Sequence, residues 1–161
     1  MLFRSLYVDP RDHQHLCYYD FTSLYPWVNK YQRYPTGHPT FLYNPTNQNI
    51  GDYFGIATCT LLPPSNLFHP VLPYRCSNKL VFPLCRTCAE ENIDQPLLEK
   101  PWACDHTPEQ RQLTGTWCTP ELENALSDAI GYTLVRLHEV WHFQHSQKGL
   151  FKNYVDNVVE D

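Results

Sequence analysis

Cys85 and Cys88 form a C-x2-C pair, and Cys104 and His106 follow as a C-x-H pair. Thiolates and an imidazole at finger-like spacing are the donor set that tetrahedral zinc takes, and a full set of protein ligands makes such a site structural rather than catalytic. Cys76, His69 and Cys118 stand near enough in sequence to serve as alternative fourth ligands. The second group centres on one carboxylate. In Tyr19-Asp20-Phe21-Thr22-Ser23-Leu24-Tyr25-Pro26 an apolar run delivers Asp20 to a turn that leads into a helix N-terminus. Backbone N–H groups at such a turn favour anions. A lone carboxylate beside phosphates suits Mg²⁺, which takes few protein ligands and keeps several waters. The plain competitor is an aspartate that only tidies a helix end. His138 and His142 could share a strand face, but without neighbouring carboxylates they suit surface or packing roles.

These groups need a mixed α+β scaffold. Residues 15–21 read as a buried strand. Ser23 is placed to cap the next helix, with Pro26 in its first turn and Leu24, Trp27, Val28 and Tyr31 at helical spacing. Residues 40–51 look like a polar loop, and 53–62 form a second strand ended by Pro63-Pro64. Short strands are expected near 71–75 and 79–83. Residues 84–112 show little periodicity and look like a loop that needs a metal staple. After a strand at 112–118, Thr119 and Pro120 read as N-cap and first helical residue of a helix with Leu122, Ala125, Leu126 and Ala129 on one face, ended by Gly131. Residues 132–143 are a strand with Val135, Leu137, Trp141 and Phe143 on one side. A last helix starts near Gly149 and is still running at Asp161, which suggests a truncated piece of a longer chain.

Composition narrows the choices. The chain has 161 residues, 42% hydrophobic and only 18% charged, which is the balance of a folded domain rather than a tail. The net charge of −5 argues against a free-standing DNA-binding module, so any DNA contact is local or is completed by other parts of a larger protein. The 7 cysteines without a secretory leader point to a reducing intracellular setting, and no stretch is apolar enough to span a membrane.

The string Asp20, Ser23, Leu24, Tyr25, Pro26 resembles motif A of family B DNA polymerases, Asp-x-x-Ser-Leu-Tyr-Pro. Tyr34-Pro-Thr-Gly-His-Pro39 is similar to the segment that follows it in the protein-primed branch. Thr116 to Leu122, Glu139 to Phe143 and Leu150 to Val155 resemble strings in polymerases of Polinton/Maverick-type transposable elements and related viruses. The resemblance implies a partial polymerase palm at 1–39, carrying motif A, and a terminal-protein-region insertion at 40–161 with the zinc knuckle at 85–106. It implies that Asp20 is one of two aspartates holding catalytic Mg²⁺, that Tyr25 excludes ribose under the incoming dNTP, and that Phe21, Thr22, Ser23 and Leu24 line the triphosphate. Template/primer DNA and a priming protein are the implied partners, at a nuclear or viral replication site. The family's second motif, Lys-x3-Asn-Ser-x-Tyr-Gly, and its third, Tyr-x-Asp-Thr-Asp, are absent, so this chain alone is not expected to polymerise. Two other readings remain: a non-catalytic, zinc-stabilised interaction module derived from such a polymerase, and a small metal hydrolase using Asp20 and histidines.

Overall fold

The computed structural model describes residues 20–92 and 104–159. These fall into two compact units, one holding 20–33 and 148–159, the other 34–147. The fold is mixed α/β, sheet-rich with a few short helices. The strand expected at 15–21 lies mostly outside the described residues; Asp20 and Phe21 are irregular.

In the smaller unit, α1 (Leu24–Tyr31) and α5 (Lys152–Val159) pack together. The helix read from Leu24, Trp27, Val28 and Tyr31 is present, but one expectation fails on it. Ser23 sits at the N-cap with φ 56°, a left-handed conformation, and its side chain makes no capping hydrogen bond. No residue of α1 is buried, and Trp27 and Tyr31 meet as tilted rings 5.4 Å apart. Lys30 forms an ion pair with Asp156 of α5, and the hydrogen bond to Asp156 raises its pKa.

The larger unit is built on a four-stranded antiparallel sheet of order β2-β7-β3-β6, with β2 at Thr40–Tyr43, β3 at Gly55–Leu62, β6 at Leu113–Cys118 and β7 at Thr133–His142. The expected loop at 40–51 therefore begins as strand: Thr40-Phe41-Leu42-Tyr43 pairs with β7 because β-branched and aromatic residues suit a pleated surface. The strand β1 (Arg33–Thr36) pairs with β8 (His145–Lys148), and β4 (Tyr74–Cys76) forms a ribbon with β5 (Lys79–Val81).

Strand β3 alternates as its sequence promises. Ala57, Cys59 and Leu61 point into a core completed by Ile50, Leu72, Leu113, Trp117, Leu122, Leu137 and Val140. Cys59 is fully buried and burial pushes its thiol up to about 12, so it packs as a small hydrophobe. Strand β7 does not alternate. Its register against β3 shifts between Thr58 and Cys59 and between Thr60 and Leu61. The extra residues are His138 and Val135. These bulges turn Leu137 and Val140 inward and leave Val135 and Trp141 exposed, which corrects the expected shared face. The Leu137 N–H donates to Gln48 Oε1 at 2.8 Å, so a loop side chain meets a donor that the irregular ladder leaves over.

Helix α4 (Thr119–Leu126) is shorter than expected and ends before Gly131. Thr119 is not its N-cap; that position is Cys118. The Thr119 side chain is buried instead, and its Oγ1 accepts from the Gly55 N–H at 3.0 Å. Gly55 has φ 149°, and a Cβ there would lie 2.0 Å from the Trp141 carbonyl oxygen. Gly55→Ala is accordingly expected to destabilise the unit by roughly 2–4 kcal/mol, read as a lower midpoint in urea unfolding. A similar requirement holds at Gly115, where a Cβ would strike the Trp117 ring at 2.8 Å.

Candidate functional site

Two short helices carry the thiolate–imidazole set. Cys85 closes the loop after β5, and α2 (Arg86–Asn92) starts directly behind it. The Cys88 N–H donates to Cys85 Sγ at 3.4 Å, and the Ala89 N–H to Cys85 O at 3.2 Å, so the knuckle forms the first turn of α2. The second half, Cys104 and His106, precedes α3 (Pro108–Arg111). A capping box starts α3: Thr107 N–H donates to Gln110 Oε1 at 2.9 Å, and Gln110 N–H to Thr107 Oγ1 at 3.4 Å. Residues 84–112 thus hold two helices where only a loop is expected, and Thr107-x-x-Gln110 is the sequence signal that announces the second.

The donor atoms converge. His106 Nδ1 lies 3.5 Å from Cys85 Sγ, 3.3 Å from Cys88 Sγ and 3.6 Å from Cys104 Sγ. Cys88 Sγ is 3.6 Å from Cys104 Sγ, and all the donor atoms fall within 4.8 Å of one another. Tetrahedral zinc, with Zn–S about 2.3 Å and Zn–N about 2.0–2.1 Å, sets its donors about 3.5–3.8 Å apart. The observed separations match that spacing, and the cluster is compatible with a tetrahedral metal. It is His106 that completes it. Cys76 is buried in β4, His69 stands against the Phe68 ring and Cys118 ends β6, and none of them belongs to the group.

Electrostatics fit the same use. Burial pushes the Cys88 thiol up to about 12, with hydrogen bonds to Cys104 and Cys85 adding to it. Burial acts the same way on Cys104, but hydrogen bonds from the His106 backbone and ring, and from the other thiols, outweigh it and bring that thiol down to about 7. A bound cation would displace the remaining thiol protons, as thiolate ligation requires. Behind the site, His106 Nε2 is 3.8 Å from Glu91 Oε2, a carboxylate placed to orient the ring.

Arg111 joins this arm to the sheet, and sequence reasoning missed it. Its Nη2 donates to Pro63 O at 3.0 Å, Pro64 O at 2.9 Å and Leu84 O at 3.4 Å. Those carbonyls belong to the exit of β3 and the entry to the knuckle. No local motif announces such a long-range clamp.

The aspartate segment has a different character. Asp20 is exposed, as are Phe21, Thr22, Ser23, Leu24 and Tyr25, with Tyr25 81% accessible. Thr22 and Ser23 border a cavity of about 220 Å³ that Trp27, Lys30, Val155 and Asp156 also line. Among the described residues, Cys85, Cys88, Cys104 and His106 make the one cluster of three or more metal-competent side chains, and Asp20 belongs to no such cluster. The histidine pair on β7 is occupied separately. His138 Nε2 meets Thr60 Oγ1 at 2.8 Å, and His142 Nδ1 accepts from the Phe54 N–H at 3.1 Å. No helix among the described residues is long and apolar enough to cross a membrane.

The family model for DNA polymerase type B, organellar and viral, matches residues 10–160. No curated protein and no solved structure matches the chain. With the match running over nearly its whole length, from ahead of the aspartate segment to the last helix, the chain belongs to the organellar and viral type B DNA polymerases.

Proposed function

We propose that this chain carries the first catalytic carboxylate of a protein-primed, DNA-directed DNA polymerase together with the zinc-stapled insertion that follows it. One observation carries the reading: a family match over residues 10–160 embraces Asp20-x-x-Ser-Leu-Tyr-Pro26, and the Asp20 carboxylate faces solvent rather than the core. In the complete enzyme Asp20 would hold Mg²⁺ against the dNTP triphosphate. Ser23 and the backbone of Phe21, Thr22 and Leu24 would line the phosphates, and Tyr25 would lie under the sugar. Magnesium supplies charge neutralisation at the triphosphate and a more acidic primer hydroxyl. The left-handed Ser23 supports this use, because an αL residue ahead of a helix turns consecutive N–H groups outward. Residues 1–39 would form the palm segment and 40–161 the insertion that meets priming protein and template/primer DNA. The polymerase's second aspartate and its triphosphate-gripping lysine would come from motifs this sequence does not contain.

The sugar gate offers a direct test. In the polymerase that carries this segment, Tyr25→Val is expected to admit ribonucleotides at least about tenfold more readily, a change in transition-state discrimination of about 1.4 kcal/mol. Single-nucleotide insertion with matched dNTP and rNTP measures it, and unchanged sugar discrimination would contradict the assignment.

A second reading is favoured by the absence, among the described residues, of a metal-competent cluster of three or more side chains that includes Asp20: a zinc-stabilised module that binds protein or DNA without catalysis. It predicts that Asp20 substitutions change no activity of any protein containing the segment.

A further inference from the structure

We infer that Cys88 and Cys104 form a reversible oxidation site, at which a hydroperoxide exchanges the metal staple for a disulfide staple between the two halves of the cluster. The inference deepens the reading of this cluster as a structural zinc site. Spacing alone would nominate Cys85 with Cys88, since C-x2-C pairs close readily into disulfides. The geometry points elsewhere. Cys85 is only 4% exposed, and its Sγ already accepts the Cys88 N–H. Both features shield that sulfur from an oxidant and lower its nucleophilicity. Cys104 is exposed and Cys88 half-buried, and their sulfurs lie 3.6 Å apart, on opposite halves of the arm. Moving from that separation to an S–S bond of about 2.05 Å asks for a shift of about 1.5 Å, shared between two side chains.

The chemistry balances with one peroxide. The Cys104 thiolate attacks a peroxide oxygen; an S–O bond forms, the O–O bond breaks and hydroxide leaves, giving a sulfenic acid on Cys104. The Cys88 thiolate then attacks that sulfur; the S–S bond forms, the S–O bond breaks and a second hydroxide departs. Two thiolates lose two electrons, and the peroxide becomes two hydroxides. Cys85 and His106 alone cannot retain the metal, so the cluster releases it. The new bond still ties residue 88 to residue 104, and the arm keeps its closure by another means. A dithiol reverses the change by exchange, leaving as its own disulfide.

The test uses the full 161-residue chain with zinc bound, treated with sub-stoichiometric to equimolar hydrogen peroxide. Released zinc is read with a chromogenic chelator, and cysteine pairing by alkylation and peptide mass mapping. The expected result is about one zinc released per peroxide consumed, a Cys88–Cys104 cross-linked peptide as the main product, and recovery of zinc binding after dithiothreitol. Cys104→Ser should abolish that cross-link. A dominant Cys85–Cys88 product, or irreversible sulfinic acid at Cys104 in place of a disulfide, overturns the inference. Zinc content measured before oxidation keeps the two readings distinguishable. Failure to bind zinc would count against the metal centre, whereas zinc-loaded chain that pairs Cys85 with Cys88 would count against the oxidation site alone.

Discussion

Replacing Asp20 by asparagine is expected to lower nucleotide addition by the polymerase that carries this segment about a thousandfold or more and to leave folding untouched. The two halves of that expectation have separate causes. Asparagine keeps the size and polarity of the side chain but loses the charge that, in the proposed role, would hold a divalent cation at the triphosphate. A thousandfold loss corresponds to about 4 kcal/mol of transition-state stabilisation, within what metal-borne charge neutralisation provides. Stability should not follow, because Asp20 is exposed and belongs to no helix or strand. Substitutions at such positions usually lie within about 0.5 kcal/mol of neutral. Single-turnover primer extension measures the first half and urea unfolding of the 161-residue chain the second. A variant that still extends primers at near the parent rate would remove the catalytic assignment and leave the interaction-module reading in place.

The other large effect is expected at the metal centre. Protein purified without chelators should hold one zinc per chain. Stripping it, or making Cys85→Ser, should melt the arm formed by α2 and α3 while the four-stranded sheet survives. The reasoning is again local. No described residue of α2 and no residue of α3 is fully buried, so neither helix has an apolar face to dock. Helices this short are not stable by themselves. The arm is held by the Arg111 contacts to Pro63, Pro64 and Leu84 carbonyls, by Thr87 Oγ1 donating to Gln110 O at 2.9 Å, and by the thiolate–imidazole set. Structural zinc binding in small domains is worth about 10–16 kcal/mol at neutral pH, far more than those hydrogen bonds supply. The sheet has a separate core, in which Leu61, Leu113, Leu122 and Val140 are fully buried. Amide exchange by mass spectrometry is the measurement. Protection at residues 86–92 and 108–111 should fall on metal removal, while β3, β6 and β7 keep theirs. Protection that is equal with and without metal, or protein that carries no zinc, would sink the structural-metal assignment.

Much of the site chemistry was legible before any coordinates. C-x2-C followed by C-x-H marks a candidate metal site by residue type and spacing, and the structure gathers those side chains into one cluster. The strand read at 53–62 and ended by Pro63-Pro64 is present as β3, Gly55–Leu62, with alternate residues buried. Where sequence reading failed, a non-local contact had overruled a local preference. Thr119 has the right chemistry to cap a helix, yet its hydroxyl serves the Gly55 N–H across the sheet. Ser23 has capping chemistry as well and leaves it unused, with its backbone in the left-handed region. Val135 and Trp141 look like core positions of an alternating strand, and two bulges in the β3–β7 register put them outside.

Residue types and their spacing were enough to say which atoms can ligate, where Asp20 stands relative to a helix start, and which family the motifs resemble. Those properties are carried by residue type and short spacing, and side-chain chemistry does not depend on distant partners. It took the folded chain to show that His106, rather than Cys76, His69 or Cys118, joins the three cysteines, that Arg111 binds their arm to the sheet, and that Asp20 is exposed. Each of these depends on segments far apart in the chain meeting in space, and their convergence is set by sheet register and core packing, which no local pattern encodes.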